Sequence, residues 1–255
     1  MIIFRYDKTF EGLLTAVFDA YNRRTFPDVL IWENDISPLF CDDEHTVVTD
    51  DEKASRVMRG LEKKLSASAL AALTTCWLSE LPEADILLLR YIRKAIDSPV
   101  KIELNFGDED VLGLAKLWKK VDQERLRIIQ FVRFQKTADE IYFAPIEPLY
   151  NVLPLTLYHF KDRYADQKWL IYDIKREYGY YYDLKETLEV RFEQKDKHLL
   201  TGILDESIMD KDELLFQKMW KAYFKHIAIK ERTNHKQQRS FMPTRFWKHL
   251  TEKQG

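Results

Sequence analysis

His159, Asp162 and Asp166 follow one another at helical spacing, and they are the first group in this chain whose residue types could do chemistry. One imidazole beside two carboxylates can share a proton or hold a water. The same trio also serves as an ordinary hydrogen-bonded surface, and metal ligation would require further ligands close by. Asp173 and Asp183 flank a tyrosine-rich stretch and complete the acid–base candidates, so the possible catalytic set is His159, Asp166, Asp173 and Asp183. The chain carries 42 acids, however, and a pair of carboxylates is correspondingly uninformative.

Cys41 and Cys76 are the only cysteines. Two thiols cannot build a disulfide framework, a four-thiolate zinc site or an iron–sulfur cluster. Cys76 lies in the apolar run AALTTCWL, where a buried, inert thiol is expected. Among the seven glycines there is no GxGxxG or GxxxxGK[ST] phosphate loop. No HExxH, deaminase-type H-x-E…C-x-x-C or GxSxG pattern is present either. The expectation is therefore no metal and no bound cofactor.

The elements that must position these residues are read from periodicity. Ile2–Tyr6 and Val29–Trp32 are short strand candidates, with Thr46–Thr49 a third, and Phe10–Tyr21 is an amphipathic helix. Helical pattern dominates from Asp51 to Leu81, and Pro82 with Glu83 and Asp85 opens a helix that ends at Ser98–Pro99. Arg127–Gln135 and Ile141–Ile146 are β-branched and aromatic, and together they predict a hairpin. A helix at Leu153–Tyr164 and strands at Lys168–Ile174, Gly179–Asp183 and Thr187–Glu193 follow. A helix from about Lys211 is expected to bury Leu215, Phe216, Met219, Trp220, Phe224 and Ile227. The predicted class is α+β: a helical N-terminal third with short strands, then an antiparallel β-β-α-β-β-β-α body and a basic helical tail. The missing parallel βαβ alternation argues against a doubly wound sheet. A boundary near Leu81–Pro82 divides residues 1–81 from 82–255.

With 255 residues, 45% apolar and 13% aromatic, the composition is that of a globular protein. No apolar stretch is long enough to span a bilayer, and MIIFRYDKTF does not fit a signal peptide. A soluble cytoplasmic protein is expected.

The net charge of −2 hides a strong asymmetry. Nine acids and no base lie between Asp28 and Glu52, whereas Lys221–Gly255 holds nine Lys and Arg against two Glu. A second basic and aromatic group runs through Arg133, Lys136, Arg163, Lys168, Lys175 and Arg176 to Tyr178, Tyr180, Tyr181 and Tyr182. Such a pattern fits phosphate contacts with rings that stack on unpaired bases. It fits equally a tail that neutralises the acidic segment and a sheet whose tyrosine hydroxyls bond the backbone.

Four stretches, FEGLLTAVFDAY, FVRFQ, HFKDRYADQKWLIYDIKREYGYYYD and MPTRFWKHLTE, together resemble an uncharacterised bacterial family described as probable DNA metabolism or repair proteins. Members accompany a radical-SAM protein, and a related domain is fused to a uracil-DNA glycosylase-like module. The matching positions are Arg133, Phe134, Gln135, His159, Arg163, Asp166, Trp169, Asp173, Tyr178, Tyr181 and Asp183. Pro243, Arg245, Trp247 and Lys248 match in the tail. The resemblance implies a DNA-binding accessory protein that presents DNA, single-stranded or damaged, to a separate radical-SAM enzyme. Arg133, Arg163, Lys168, Arg176, Arg239, Arg245 and Lys248 would meet phosphates, with Tyr181 and Trp247 as stacking faces. The alternatives are a nucleobase- or lesion-processing enzyme and a protein–protein adaptor. The leading reading requires those cations to share a surface and to remain unneutralised by carboxylates.

Overall fold

A computed structural model describes residues 1–36, 38–193, 197–202, 204–227 and 234–253. Lys230 and Arg232 of the basic tail lie outside these residues. The chain divides into two compact units, Met1–Asp122 and Gln123–Gly255.

In the first unit, β1 (Ile2–Tyr6) leads through Thr9 into α1 (Phe10–Arg23), and β2 (Val29–Trp32) and β3 (Asp43–Thr46) follow. The Thr9 hydroxyl accepts the Gly12 N–H at 2.9 Å, which caps α1. β1 is central and pairs with both neighbours in parallel, in the order β2-β1-β3. This corrects the expectation that no parallel β-α-β unit exists. Its strands are too short and too polar to give the long apolar runs by which parallel sheets are usually read. The helices α2 (Asp51–Glu62), α3 (Ala67–Trp77) and α4 (Pro82–Asp97) complete the core. Pro82 stands in the first turn of α4, as its sequence signal predicts, and the expected boundary at Leu81–Pro82 falls inside this unit.

The acidic segment is put to local use in this unit. Asp42 meets the terminal amine, Asp43 meets Arg23 at 3.2 Å, Glu44 meets Arg5 at 2.9 Å, and Asp50 caps α2.

α5 (Glu109–Phe131) replaces the first strand of the expected hairpin. Leu114, Leu117, Val121 and Ile128 form one buried stripe at helical spacing, and that burial outweighs the β-propensity of RIIQFV. What remains of the strand is β4 (Gln135–Lys136).

The sheet of the second unit is β4-β5-β6-β7-β8, with β5 (Tyr142–Ile146), β6 (Trp169–Asp173), β7 (Tyr178–Tyr182) and β8 (Thr187–Val190). It is mixed, not purely antiparallel, because β5 and β6 run parallel. A 3₁₀ turn at Leu153–Thr156 and the helix α6 (Leu157–Arg163) provide the crossover that parallel pairing needs. Gly179 is required in β7, since a Cβ there would stand 2.5 Å from the Ile171 carbonyl oxygen.

The tyrosine run is mainly structural. Tyr178 and Tyr182 are buried, and the hydroxyls of Tyr178, Tyr180 and Tyr182 bond Asn151, Glu189 and the Ala165 carbonyl. The chain at 208–210 runs along β4, with Ala138 N–H to Ile208 O at 2.9 Å and Asp210 N–H to Lys136 O at 3.0 Å. Helices α7 (Lys197–Thr201), α8 (Glu213–Ile227) and α9 (His235–Phe241) precede two 3₁₀ turns, Thr244–His249 and Thr251–Lys253. Among the described residues no helix is long and apolar enough to cross a membrane.

Candidate nucleic-acid interface

The predicted cations fall into two groups. Arg133, Arg176, Arg245 and Lys248 are held in ion pairs inside the second unit. Arg133 grips Glu252 with Nη2 at 2.7 Å and Nε at 3.4 Å, and its Nη1 donates to the Val132 carbonyl at 3.0 Å. Arg176 donates to Asp173 at 2.9 Å and to the carbonyls of Pro148 and Leu149 at 3.2 Å. Arg245 meets Glu124, and Lys248 meets Glu147. These four do not form the unneutralised surface expected of them: the carboxylates that pair with them arrive from distant parts of the chain or from the adjacent turn.

Arg163, Lys168 and Arg239 are exposed and take no carboxylate partner among the described residues. Tyr181 is half-buried within β7. Trp247 is half-buried, donates its indole N–H to the Met242 carbonyl at 3.1 Å, and has Lys253 over its ring at 4.8 Å.

The acid–base candidates are scattered too. His159 is exposed, with its ring edge-on to Phe160. Asp166 is exposed on the loop after α6. Asp173 is fully buried and ties the β6–β7 turn, accepting from the N–H groups of Lys175 at 3.0 Å and Arg176 at 3.2 Å. Asp183 organises the next turn by accepting from Lys185 and Glu186 N–H. Those backbone bonds hold its carboxyl below the usual range. Among the described residues no three His, Cys, Asp or Glu side chains are grouped to hold a metal. Burial pushes the Cys76 thiol up to about 12, as expected of an inert core cysteine.

α8 departs most from expectation. Leu215, Phe216, Met219, Trp220 and Ile227 face solvent, where burial was predicted. Phe216 is 63% exposed, Trp220 40%, and Tyr223 56%. The helical period predicts a core stripe, yet in this helix Glu213 is the buried residue. Lys218, Lys221 and Lys225 follow one another at i, i+3 and i+7, all exposed and with no carboxylate partner among the described residues.

α8 forms one wall of an open cavity of about 590 Å³, of a size that suits a small ligand. Its other walls come from Val132–Phe134 after α5, from Lys136 and Tyr142 on the sheet, from Tyr164 and Gln167 after α6, and from Thr251. Phe134 packs edge-on against Tyr164, with centroids 5.1 Å apart. Behind this wall the Glu252 carboxylate accepts from both Arg133 and the Trp220 indole, the latter at 3.0 Å. FVRFQ, the stretch HFKDRYADQKW with Tyr164 and Gln167, and the tail motif each contribute to its lining, whereas Gln217 belongs to no recognisable pattern.

The tail segment that closes this wall is expected to loosen on acidification. Burial raises the Glu252 carboxyl, but the bonds from Arg133 and Trp220 prevail and hold it below its ordinary 4.5. Its contribution is present above that value and is lost as pH falls through the lower folded-state value. Burial likewise holds His249 below its ordinary 6.5, against the pull of Glu147 at 3.4 Å and with the push of Lys248. The unfolded chain therefore binds that proton first, and stability again falls below about pH 6.5. Denaturation midpoints measured from pH 7 to 2.5 should decline in two limbs. His249→Gln should flatten the upper limb and Glu252→Gln the lower.

The mixed fold, the aromatic cavity and the basic tail lie largely within one recognisable domain, of a family to which no function is assigned. Residues 82–252 match the model of that family, the domain of unknown function DUF4130, and the chain belongs to it. No curated protein and no solved structure matches the chain.

Proposed function

We propose that this protein binds DNA, preferentially single-stranded, as an accessory to a separately encoded radical-SAM enzyme in DNA repair or modification. One observation carries the reading. α8 sets the exposed rings of Phe216, Trp220 and Tyr223 beside three lysines with no carboxylate partner among the described residues. Aromatic platforms flanked by cations are how proteins hold unpaired strands without base-pair readout. Arg163, Lys168 and Arg239 extend the same positive character, and the resemblance of the sequence motifs to DNA-repair-associated proteins points to the same class of partner. The radical-SAM component rests on that resemblance alone. With two cysteines in the chain, the cluster chemistry would be the partner's.

Fluorescence anisotropy with labelled oligonucleotides across a salt series tests the reading. Affinity for single strands should fall steeply with salt. Replacing Lys218, Lys221 and Lys225 by alanine together should reduce the logarithmic salt slope by about 2. Arg245→Ala should leave that slope intact, because its guanidinium is already paired with Glu124. Binding that ignores both salt and the lysine substitutions would end the proposal.

A further inference from the structure

The cavity beside α8 has polar groups of a particular kind. Its charged residues are already satisfied within the protein. Glu213 accepts the Lys136 N–H at 3.0 Å and the Gln217 amide N–H at 2.9 Å, and Lys136 lies 3.3 Å from Asp210. Arg133 is occupied by Glu252 and by backbone carbonyls. The groups left without a partner among the described residues are neutral: the Gln167 amide, the hydroxyls of Tyr142 and Tyr164, and the carbonyl oxygen of Gln217. Around them stand the rings of Phe134, Phe216 and Trp220. A phosphate or carboxylate would find no unpaired cation inside. A planar, uncharged ring bearing both donors and acceptors would find rings for its faces and an amide for its edge.

The charge outside the cavity is different. Arg163 and Lys168 adjoin Tyr164 and Gln167 in sequence, and Lys218 and Lys221 adjoin Gln217 and Trp220. All four are exposed and none takes a carboxylate partner among the described residues, although Asp166 is exposed on the same loop. A neutral aromatic lining whose residues are flanked along the chain by exposed cations matches one repeating chemistry, a base projecting from a phosphate backbone.

The geometry points to this cavity as the receptor for a single unpaired nucleobase of a bound strand, with the neighbouring phosphates on Arg163, Lys168, Lys218 and Lys221. The inference rests on the nucleic-acid reading above and adds to it a defined base site whose edge contacts are Gln167 and Gln217.

The test compares a labelled single-stranded deoxyoligonucleotide with a strand of the same length made wholly of abasic deoxyribose phosphates. The full chain should bind the base-bearing strand about tenfold more tightly or better, the scale of one stacked and hydrogen-bonded base. Gln167→Ala and Tyr164→Leu should each erase most of that difference while leaving binding of the abasic strand unchanged. Gln167→Glu, which keeps size and shape, should lose it as well and serves if an alanine variant folds poorly. Equal, salt-dependent binding of both strands by the unaltered protein would overturn the base site and leave the nucleic-acid reading standing. So would Gln167 and Tyr164 variants that keep the full difference. If neither strand binds, the nucleic-acid reading falls and the base site falls with it.

Discussion

Glu124→Ala is expected to destabilise the second unit by about 3–5 kcal/mol, the scale for removing one partner of a buried ion pair. The Glu124 side chain is 1% exposed. Its carboxylate accepts the Arg245 guanidinium and the Leu149 N–H at 2.9 Å, with Arg127 at 3.7 Å. Alanine would strand a backbone donor and a guanidinium together, and the Arg245 Nε is already a buried donor without a partner. Glu124→Gln retains an acceptor for Leu149 and should recover part of the loss. Urea denaturation of both variants measures the effect. A loss below about 1 kcal/mol would mean that the Arg245 contact behaves as an exposed surface pair.

Asp173→Ala should cost about as much, on the order of 3–5 kcal/mol. The fully buried carboxylate holds two backbone N–H groups of its own turn and the guanidinium of Arg176. Burial drives this carboxyl above the usual range, with Arg176 pulling against it. Asp173→Asn keeps one acceptor and should fall between wild type and alanine. The same measurement separates two roles for the residue. An alanine variant as stable as wild type would return Asp173 to the acid–base candidates, because a turn-holding carboxylate cannot be removed without cost.

The sequence was legible where structure is local. β2 and α4 lie where their patterns place them, and the order of strands and helices after α5 follows the expected β-β-α-β-β-β-α. It misled where tertiary burial decided the outcome. RIIQFV has strand propensity, but it continues the buried stripe of Leu114, Leu117 and Val121. Strand direction was equally hidden, since β5 and β6 carry no mark of parallel pairing beyond the length of the segment between them. The fate of the cations was least legible of all. Arg133 and Glu252 are 119 positions apart, and Arg245 and Glu124 are 121 apart. Charge read along the chain therefore counted as available several groups that folding pairs. α8 erred in the opposite direction: its periodic apolar residues suggested a core, and they lie on the surface instead. The cavity at its side could not have been read in advance, because Gln167 and Gln217, 50 positions apart, come to line one space only after folding.

The margins of the five-stranded sheet have a practical corollary. One margin, β4, is only two residues long and is overlaid by the chain's own 208–210 stretch. The other, β8, is four residues long and presents the charged Glu189, with Arg191 just beyond it. Neither offers another molecule a lengthy row of vacant main-chain groups on which to add a strand. Fibrillar self-templating through this sheet is thereby disfavoured even at high concentration, so if the preparation clumps, the greasy outer flank of α8 is the first place to substitute polar residues.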